Sequence, residues 1–348
     1  MKKDGELKLL KGYNVALVGA TGMVGRTFLK VLEDRDFPVR NLKLLASARS
    51  AGSTLSFRGK ELTVEEAVPR AFDGVDFALF SAGTQTSRQL APEAAARGAL
   101  VIDNSNAFRM EPQVPLVVPE VNPQRAREHQ GIIANPNCST IQMVVVLYPL
   151  HRAAGLKRVV VSTYQAVSGA GKAALDGMYR ECRNMLEGRE ADPQSLPHGG
   201  AHKYHPIAFN LVPQLDVFVE DGYTKEEMKM IQESRKIMGL PDLKITATTV
   251  RVPVENGHSE SVNVELETPL PPEDARRVLA EAPGVVVMDD PHDLLYPMPL
   301  FCSGRDPVFV GRLRQDFSVD NGLNIWVVAD NIRKGAATNT VQIAELFI

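Results

Sequence analysis

The sequence predicts an α/β protein: a doubly wound, Rossmann-like cofactor domain followed by a second α+β domain with a mixed, largely antiparallel sheet. Three observations predict it. From residue 14 to about 135, short apolar runs without internal alternation are separated by helical stretches, the texture of parallel strands covered on both faces. A glycine-rich turn joins the first of these strands to the first helix. Beyond residue 137 the strands lengthen and begin to alternate polar with apolar, as strands do when the two faces of a sheet differ.

The elements follow in order. Residues 1–12 form a charged leader. Strands are expected at 14–18, 42–46, 77–80, 100–102 and 132–134, with helices such as 25–32 and 87–97, the latter stopped by Gly98. The second set of strands falls at 158–166, 244–252, 259–267, 308–316 and 323–329. Asn256-Gly257 and Asp320-Asn321-Gly322 look like hairpin connections. The stretch 334–347 is again helical and returns to the first domain. The domains are therefore 13–136 with 331–348, and 137–330.

With 348 residues, 44% hydrophobic and 23% charged, the chain has an ordinary globular balance and length for about two domains. A net charge of −3 leaves no basic excess for nucleic acid or an acidic membrane. The first residues lack the apolar core of a signal peptide, and no apolar run has the roughly 20 residues of a membrane helix. Cys138, Cys182 and Cys302 are odd in number and widely spaced, so neither a disulfide framework nor a metal site is indicated. A cytoplasmic protein is expected.

Gly19-Ala20-Thr21-Gly22-Met23-Val24-Gly25 stands between strand 14–18 and a helix. Glycines at this place let the backbone approach a pyrophosphate seated on the free N–H groups of the helix start. NAD-binding versions carry an acid about 20 residues later for the ribose 2′-hydroxyl. Here Ser47-Ala48-Arg49-Ser50 offers a cation and two hydroxyls instead, which suits the 2′-phosphate of NADP.

Asn135-Pro136-Asn137-Cys138-Ser139-Thr140 follows strand 132–134 and opens an apolar helix at 141–150. A cysteine at a helix start is favoured as thiolate by the dipole and the unpaired N–H groups, which also suit an oxyanion. Flanking Pro and Asn residues favour this over a small buried hydrophobe; Cys182 and Cys302 read as structural. His258 follows the Asn256-Gly257 turn seven residues after Arg251, and a hairpin of that size brings the two together for proton transfer and anion binding. On spacing alone, a satisfied turn histidine explains His258 better. Glu227 is fully explained as the capping-box partner of Thr224, Lys229 as a solvated helix residue, and Arg109 as a residue beyond a strand end.

Taken together, these segments, with Ser162-Thr-Tyr-Gln-Ala-Val-Ser-Gly-Ala-Gly171 and the 331–345 tail, resemble the aspartate-β-semialdehyde dehydrogenase family over residues 13–348. The resemblance implies that Cys138 is the nucleophile, His258 the acid/base, and Gln165 the residue orienting the acyl group. It implies Arg251 on the substrate carboxylate, Glu227 on its amino group, Arg109 and Lys229 on phosphate, and Asn137 beside them in substrate binding. Gly19, Thr21, Gly22, Met23, Val24, Gly25, Ser47, Arg49 and Ser50 would hold NADP, with Gly169 and Gln342 near the nicotinamide. The implied reaction is reduction of L-4-aspartyl phosphate to aspartate semialdehyde and phosphate by a homodimer. The leader 1–12 and Asn106, where serine is common, depart from the family's pattern. Two alternatives remain: an N-acetylglutamyl-phosphate reductase-like enzyme, whose substrate has no amino group for Glu227, and an inactive homologue acting as a binding protein.

Overall fold

The computed structural model describes residues 12–348, so the expected leader lies, but for Gly12, outside the described residues. The chain divides into two compact units, one running through Pro136 and resuming at Ala336–Ile348, the other Asn137–Gly335. The second break falls later than the sequence suggested, so residues 331–335 belong to the second unit.

The first unit contains β1 (Tyr13–Val18), α1 (Met23–Asp34), β2 (Val39–Ala46), β3 (Thr54–Phe57), β4 (Lys60–Glu66), β5 (Phe77–Phe80), α2 (Thr84–Ala96), β6 (Leu100–Asp103) and β7 (Ile132–Ala134). Their order across the sheet is β3-β4-β2-β1-β5-β6-β7, parallel except for the β3–β4 hairpin. That hairpin was not expected. Its two-residue turn, Arg58-Gly59, has φ of 48° and 72°, the backbone hand that matches strand twist, but an arginine in the first place gives little sequence signal. Central β1 is buried on both faces. Val15 and Leu17 pack with Phe28 and Leu32, while Ala16 and Val18 meet Phe80 and Leu90. This two-sided burial, about 1.5–3 kcal/mol for each large apolar side chain, is why these strands show no alternation.

The second unit contains α3 (Cys138–Ala154), β8 (Leu156–Gln165), α4 (Lys172–Leu186), α5 (Lys225–Met238), β9 (Lys244–Arg251), β10 (His258–Leu266), α6 (Pro272–Ala280), β11 (Val285–Val287), α7 (Pro299–Cys302), β12 (Val308–Asp316) and β13 (Gly322–Ala329). The sheet runs β11-β12-β13-β10-β8-β9, with β11–β12 and β8–β9 parallel and the other pairs antiparallel. The Asp320–Gly322 turn does join an adjacent pair, β12 and β13. The Asn256-Gly257 turn does not: β8 lies between β9 and β10, pairing with both. The hairpin expected around residues 251–258 is therefore a crossover. Helix α3 is buried along Ser139–Leu147 and packs on β8, β10, β12 and β13. The closing helix, α8 (Thr338–Glu345), returns to the first unit, where Val341 and Ile343 enter the β1–α1 core. Among the described residues no helix is long and apolar enough to cross a membrane.

Candidate functional site

In the first unit the β1–α1 turn is built as a cradle. Gly19 has φ of +86°, and a Cβ there would lie 2.4 Å from the Ser81 carbonyl oxygen. A Cβ on Gly25 would lie 2.2 Å from the Gly19 carbonyl oxygen. Neither position accepts a side chain without moving backbone. Gly22 caps α1 with no side-chain bond, which leaves the N–H groups of the first turn, at Met23 and Val24, to an external acceptor. A cavity of about 630 Å³ opens beside them, lined by Thr21, Ser47, exposed Arg49 and Ser50 among others. The cradle, the uncapped helix and the cavity fit a dinucleotide. One feature was not expected: the end of β4 pairs beside β2 and brings Glu66 to the same cavity.

In the second unit, half-buried Cys138 is the first residue of α3. The side-chain oxygen of Asn137 accepts from the N–H groups of Ser139 (3.0 Å) and Thr140 (3.1 Å). Asn137 is therefore a helix cap rather than a free ligand, and two of the N–H groups expected to face the thiolate are already paired. Arg251 supplies a positive charge that interacts electrostatically with Cys138. A Cβ on Gly335 would come within 2.7 Å of the Cys138 Cβ, so glycine there keeps Cys138 uncrowded.

Arg251 and His258 end strands on either side of β8, whose last residue is Gln165. A Cβ on Gly169 would sit 3.0 Å from Arg251 Nη1 and 3.3 Å from His258 Nε2, so the two side chains meet under the Gly169 backbone. Arg251 Nη1 donates to the Ala166 carbonyl at 2.7 Å. The Ala166 N–H donates to His258 Nδ1 at 3.0 Å. A ring nitrogen that accepts carries no proton, so the neutral imidazole holds its proton on Nε2. Burial, reinforced by the Arg251 charge and opposed by Glu226, pushes this imidazole down to about 3. His258 is thus a neutral Nε2–H donor near pH 7. Its Nε2 and the Arg251 Nε are buried without a hydrogen-bond partner among the described residues.

The carboxylate that joins this group is Glu226, not Glu227. Glu226 accepts from Asn137 Nδ2 (2.8 Å), Gln165 Nε2 (3.4 Å) and Lys229 Nζ (3.0 Å). Burial alone would raise its pKa, but Lys229, Asn137 and Arg251 outweigh it and hold the carboxyl at about 2. Glu227 turns away: its oxygens accept from the backbone N–H groups of Thr224 (2.7 Å) and Thr249 (2.9 Å), completing the capping box and tying α5 to β9. Lys229 lies between Glu226 and Asp216, 3.0 Å from each. It is not a solvated helix residue, and two of its three N–H donors serve carboxylates.

Arg109 belongs to the first unit, where it donates to the Asn135 carbonyl (2.9 Å) and the Asn104 carbonyl (3.0 Å). Gln342 donates to Glu120 at 3.0 Å in the same unit. Cys302 is buried with Phe309 and Val328, and burial raises its thiol to about 11. Cys182 packs against the Val167–Met178 cluster, so both read as structural.

Residues 14–129 match the semialdehyde dehydrogenase, NAD binding domain family, and residues 147–334 the semialdehyde dehydrogenase, dimerisation domain family. A curated Aquifex aeolicus aspartate-semialdehyde dehydrogenase is 58% identical over 97% of this chain and 98% of its own length. The crystal structure of aspartate semialdehyde dehydrogenase II from Vibrio cholerae superposes with a TM-score of 0.91 at 47% identity, covering 97% of this chain and 98% of that one. The chain belongs to the aspartate-semialdehyde dehydrogenase family. A second Vibrio cholerae structure, of the enzyme complexed with ASA, is equally similar at a TM-score of 0.91 and 46% identity, covering 97% of this chain and 98% of that one.

Three residues of this family member's site escaped sequence reasoning. Glu226 was passed over for its neighbour, although the capping box itself held the signal: the third helical residue must fold back to the cap, which leaves the one before it to share a face with Lys229. Glu233, seven residues on and on that same face, accepts from the Asn137 backbone N–H at 2.6 Å. Glu226 and Glu233 thus grip the side chain and the backbone of the residue preceding Cys138. Gly335 carries no local signal, because its constraint is a close approach across the unit.

Proposed function

We propose that the chain catalyses NADP-dependent reductive dephosphorylation of L-4-aspartyl phosphate to L-aspartate 4-semialdehyde through a thioester on Cys138. The product would feed lysine, methionine, threonine and diaminopimelate biosynthesis. The observation that carries this reading is a helix-start cysteine interacting electrostatically with Arg251, whose Nε, like Nε2 of the neighbouring His258, is buried and unpartnered among the described residues.

The Cys138 thiolate attacks the acyl carbon, the carbon–oxygen bond to phosphate breaks, and phosphate leaves with the electron pair. The glycine cradle would hold the pyrophosphate of a nicotinamide dinucleotide, with Arg49 toward its 2′-phosphate, and that cofactor, when bound, would supply the hydride that the thioester carbon needs. His258 donates its Nε2 hydrogen bond to the oxyanion that develops on the reacting carbonyl. Collapse of that species expels the Cys138 thiolate and forms the aldehyde. Arg251 meets the substrate carboxylate, Gln165 orients the acyl group, and ionised Glu226 takes the ammonium role first given to Glu227. The third N–H of Lys229 serves phosphate. A buried acid held ionised favours a substrate with a free amino group over N-acetylglutamyl phosphate.

A homodimer formed through the second unit fits the same reading. The sheet face opposite α3 presents Tyr164, 37% exposed, and Trp326 beside a cavity of about 330 Å³. Phosphate-dependent reduction of NADP⁺ by aspartate semialdehyde, followed by absorbance, tests the reaction. Cys138→Ser is expected to lose nearly all of it while NADPH affinity stays close to normal. Activity surviving that change, or a preference for N-acetylglutamyl phosphate, would overturn the reading.

A further inference from the structure

The end of β2 is where a dinucleotide fold that takes NAD carries an acid for the ribose 2′-hydroxyl. Here that place reads Ala46-Ser47-Ala48-Arg49 and has none. The fold supplies one from the neighbouring strand. β4 runs parallel to β2, so both strands end at the same edge of the sheet, the edge at which open α/β sheets bind ligands. Their last residues, Ala46 and Glu66, are directly paired. Glu66 is exposed and lines the cavity of about 630 Å³ together with Ser47, Arg49 and Ser50.

The face of the sheet on which Glu66 stands narrows what it can meet. Its pairing partner Ala46, and Val64 two residues before it on β4, are both buried with Phe28 and Leu32 of α1. Alternation therefore puts Glu66 on the α1 side, the side of the glycine cradle. The other wall of the cavity is apolar, with Val68 and Leu90 packed in the cluster under α2. A planar base suits that apolar wall, and a sugar edge suits the polar one. At the ribose 2′ position the two nicotinamide dinucleotides differ by one group. NAD presents a hydroxyl, which a carboxylate accepts from. NADP presents a phosphate of about −1.5 to −2 charge near pH 7, which Arg49 attracts and a carboxylate repels.

We propose that Glu66 is a second reader of the 2′ position, accepting from the ribose hydroxyl of NAD and opposing the 2′-phosphate of NADP. The site then takes both dinucleotides, and its preference is set by Arg49 against Glu66. This rests on the cofactor reading given above, in which the glycine cradle holds a nicotinamide dinucleotide with Arg49 toward the 2′-phosphate. It adds an acid to that reading, from a strand on which no local sequence pattern marks it.

Titration of the full-length protein with NADH and with NADPH, followed by the fluorescence of the reduced nicotinamide, tests this without turnover. The wild type is expected to bind both. Glu66→Ala removes acceptor and charge together. NADH should weaken roughly 10-fold, the scale of one hydrogen bond to a charged group, and NADPH should tighten about 2- to 5-fold as the like charge goes. Glu66→Gln keeps an acceptor, so it should hold most of the NADH affinity and show the same gain for NADPH, fading at high salt. A wild type that binds NADPH but not NADH would overturn the proposal. An unchanged ratio of the two affinities in Glu66→Ala would also overturn it, by placing Glu66 on a part that both share or on neither. A loss confined to NADPH would do the same, by making Glu66 a support for Arg49. None of these outcomes touches the cofactor reading, which falls, and the proposal with it, if the wild type binds neither dinucleotide.

Discussion

The protonation state of His258 has a consequence for stability that can be worked out from the structure. The folded imidazole titrates near 3, against 6.5 for an unperturbed histidine. Between those values the unfolded chain binds a proton that the folded chain refuses. Stability is therefore full above about pH 6.5 and falls as the pH drops toward 3. The whole gap corresponds to about 5 kcal/mol, at about 1.4 kcal/mol per pH unit, and the part lost between pH 7 and pH 5 is about 2 kcal/mol. His258→Asn is the control, since its side-chain oxygen can accept from the Ala166 N–H in place of Nδ1 and nothing there titrates. Urea unfolding of both proteins at pH 7, 6 and 5 measures the difference. Other titrating groups, including His129 and His151, both lowered mainly by burial, are common to the two and cancel. The wild type should lose about 2 kcal/mol more than the variant. Equal losses would mean that His258 is not held neutral, and the Nε2–H donor role would fall with it.

The remaining expectations concern the two units separately. Glu226→Gln should raise KM for the amino-bearing substrate by roughly 10- to 100-fold, the scale of a charged hydrogen bond, whereas Glu227→Gln should lower the thermal midpoint and leave KM near normal; the reverse pattern would restore Glu227 to the site. Gly335→Ala should slow both turnover and alkylation of Cys138 because its Cβ would press on the cysteine at 2.7 Å, and unchanged alkylation would show that the nucleophile is not crowded. Arg49→Ala should weaken NADPH binding by about 1–3 kcal/mol and spare NADH, and equal losses would mean that Arg49 does not read the 2′-phosphate.

What the sequence disclosed was set by how local each constraint is. The β1–α1 cradle was legible because Gly19 and Gly25 are required by atoms a few residues away or one strand over. Cys138 was legible because a strand end, Pro136 and a helix cap adjoin it in the chain. The 251–258 segment misled because strand adjacency is not local: Asn256-Gly257 is a turn, but β8, almost a hundred residues earlier, occupies the place between the strands it joins. Glu226, Glu233 and Glu260 stayed hidden for another reason. Acids on helices and strands are ordinarily surface residues, and only the fold shows that these three are buried.

A sharper signal was nonetheless present in the alternation of β8, β9 and β10. Their inward positions are apolar for most of each strand: Val159 and Val161, Ile245 and Ala247, Val262 and Val264. At one end of the sheet the same positions turn polar: Thr163 and Gln165, Thr249 and Arg251, His258 and Glu260, all buried. Desolvating that many polar groups opposes folding, and a core built for stability alone would continue the apolar pattern. The three strands break pattern together, in register, at the end that carries Gln165 and Arg251. Read as strands with a period of two, those six residues delimit the second unit's site before any family is considered, and they include Glu260, which the family resemblance did not single out.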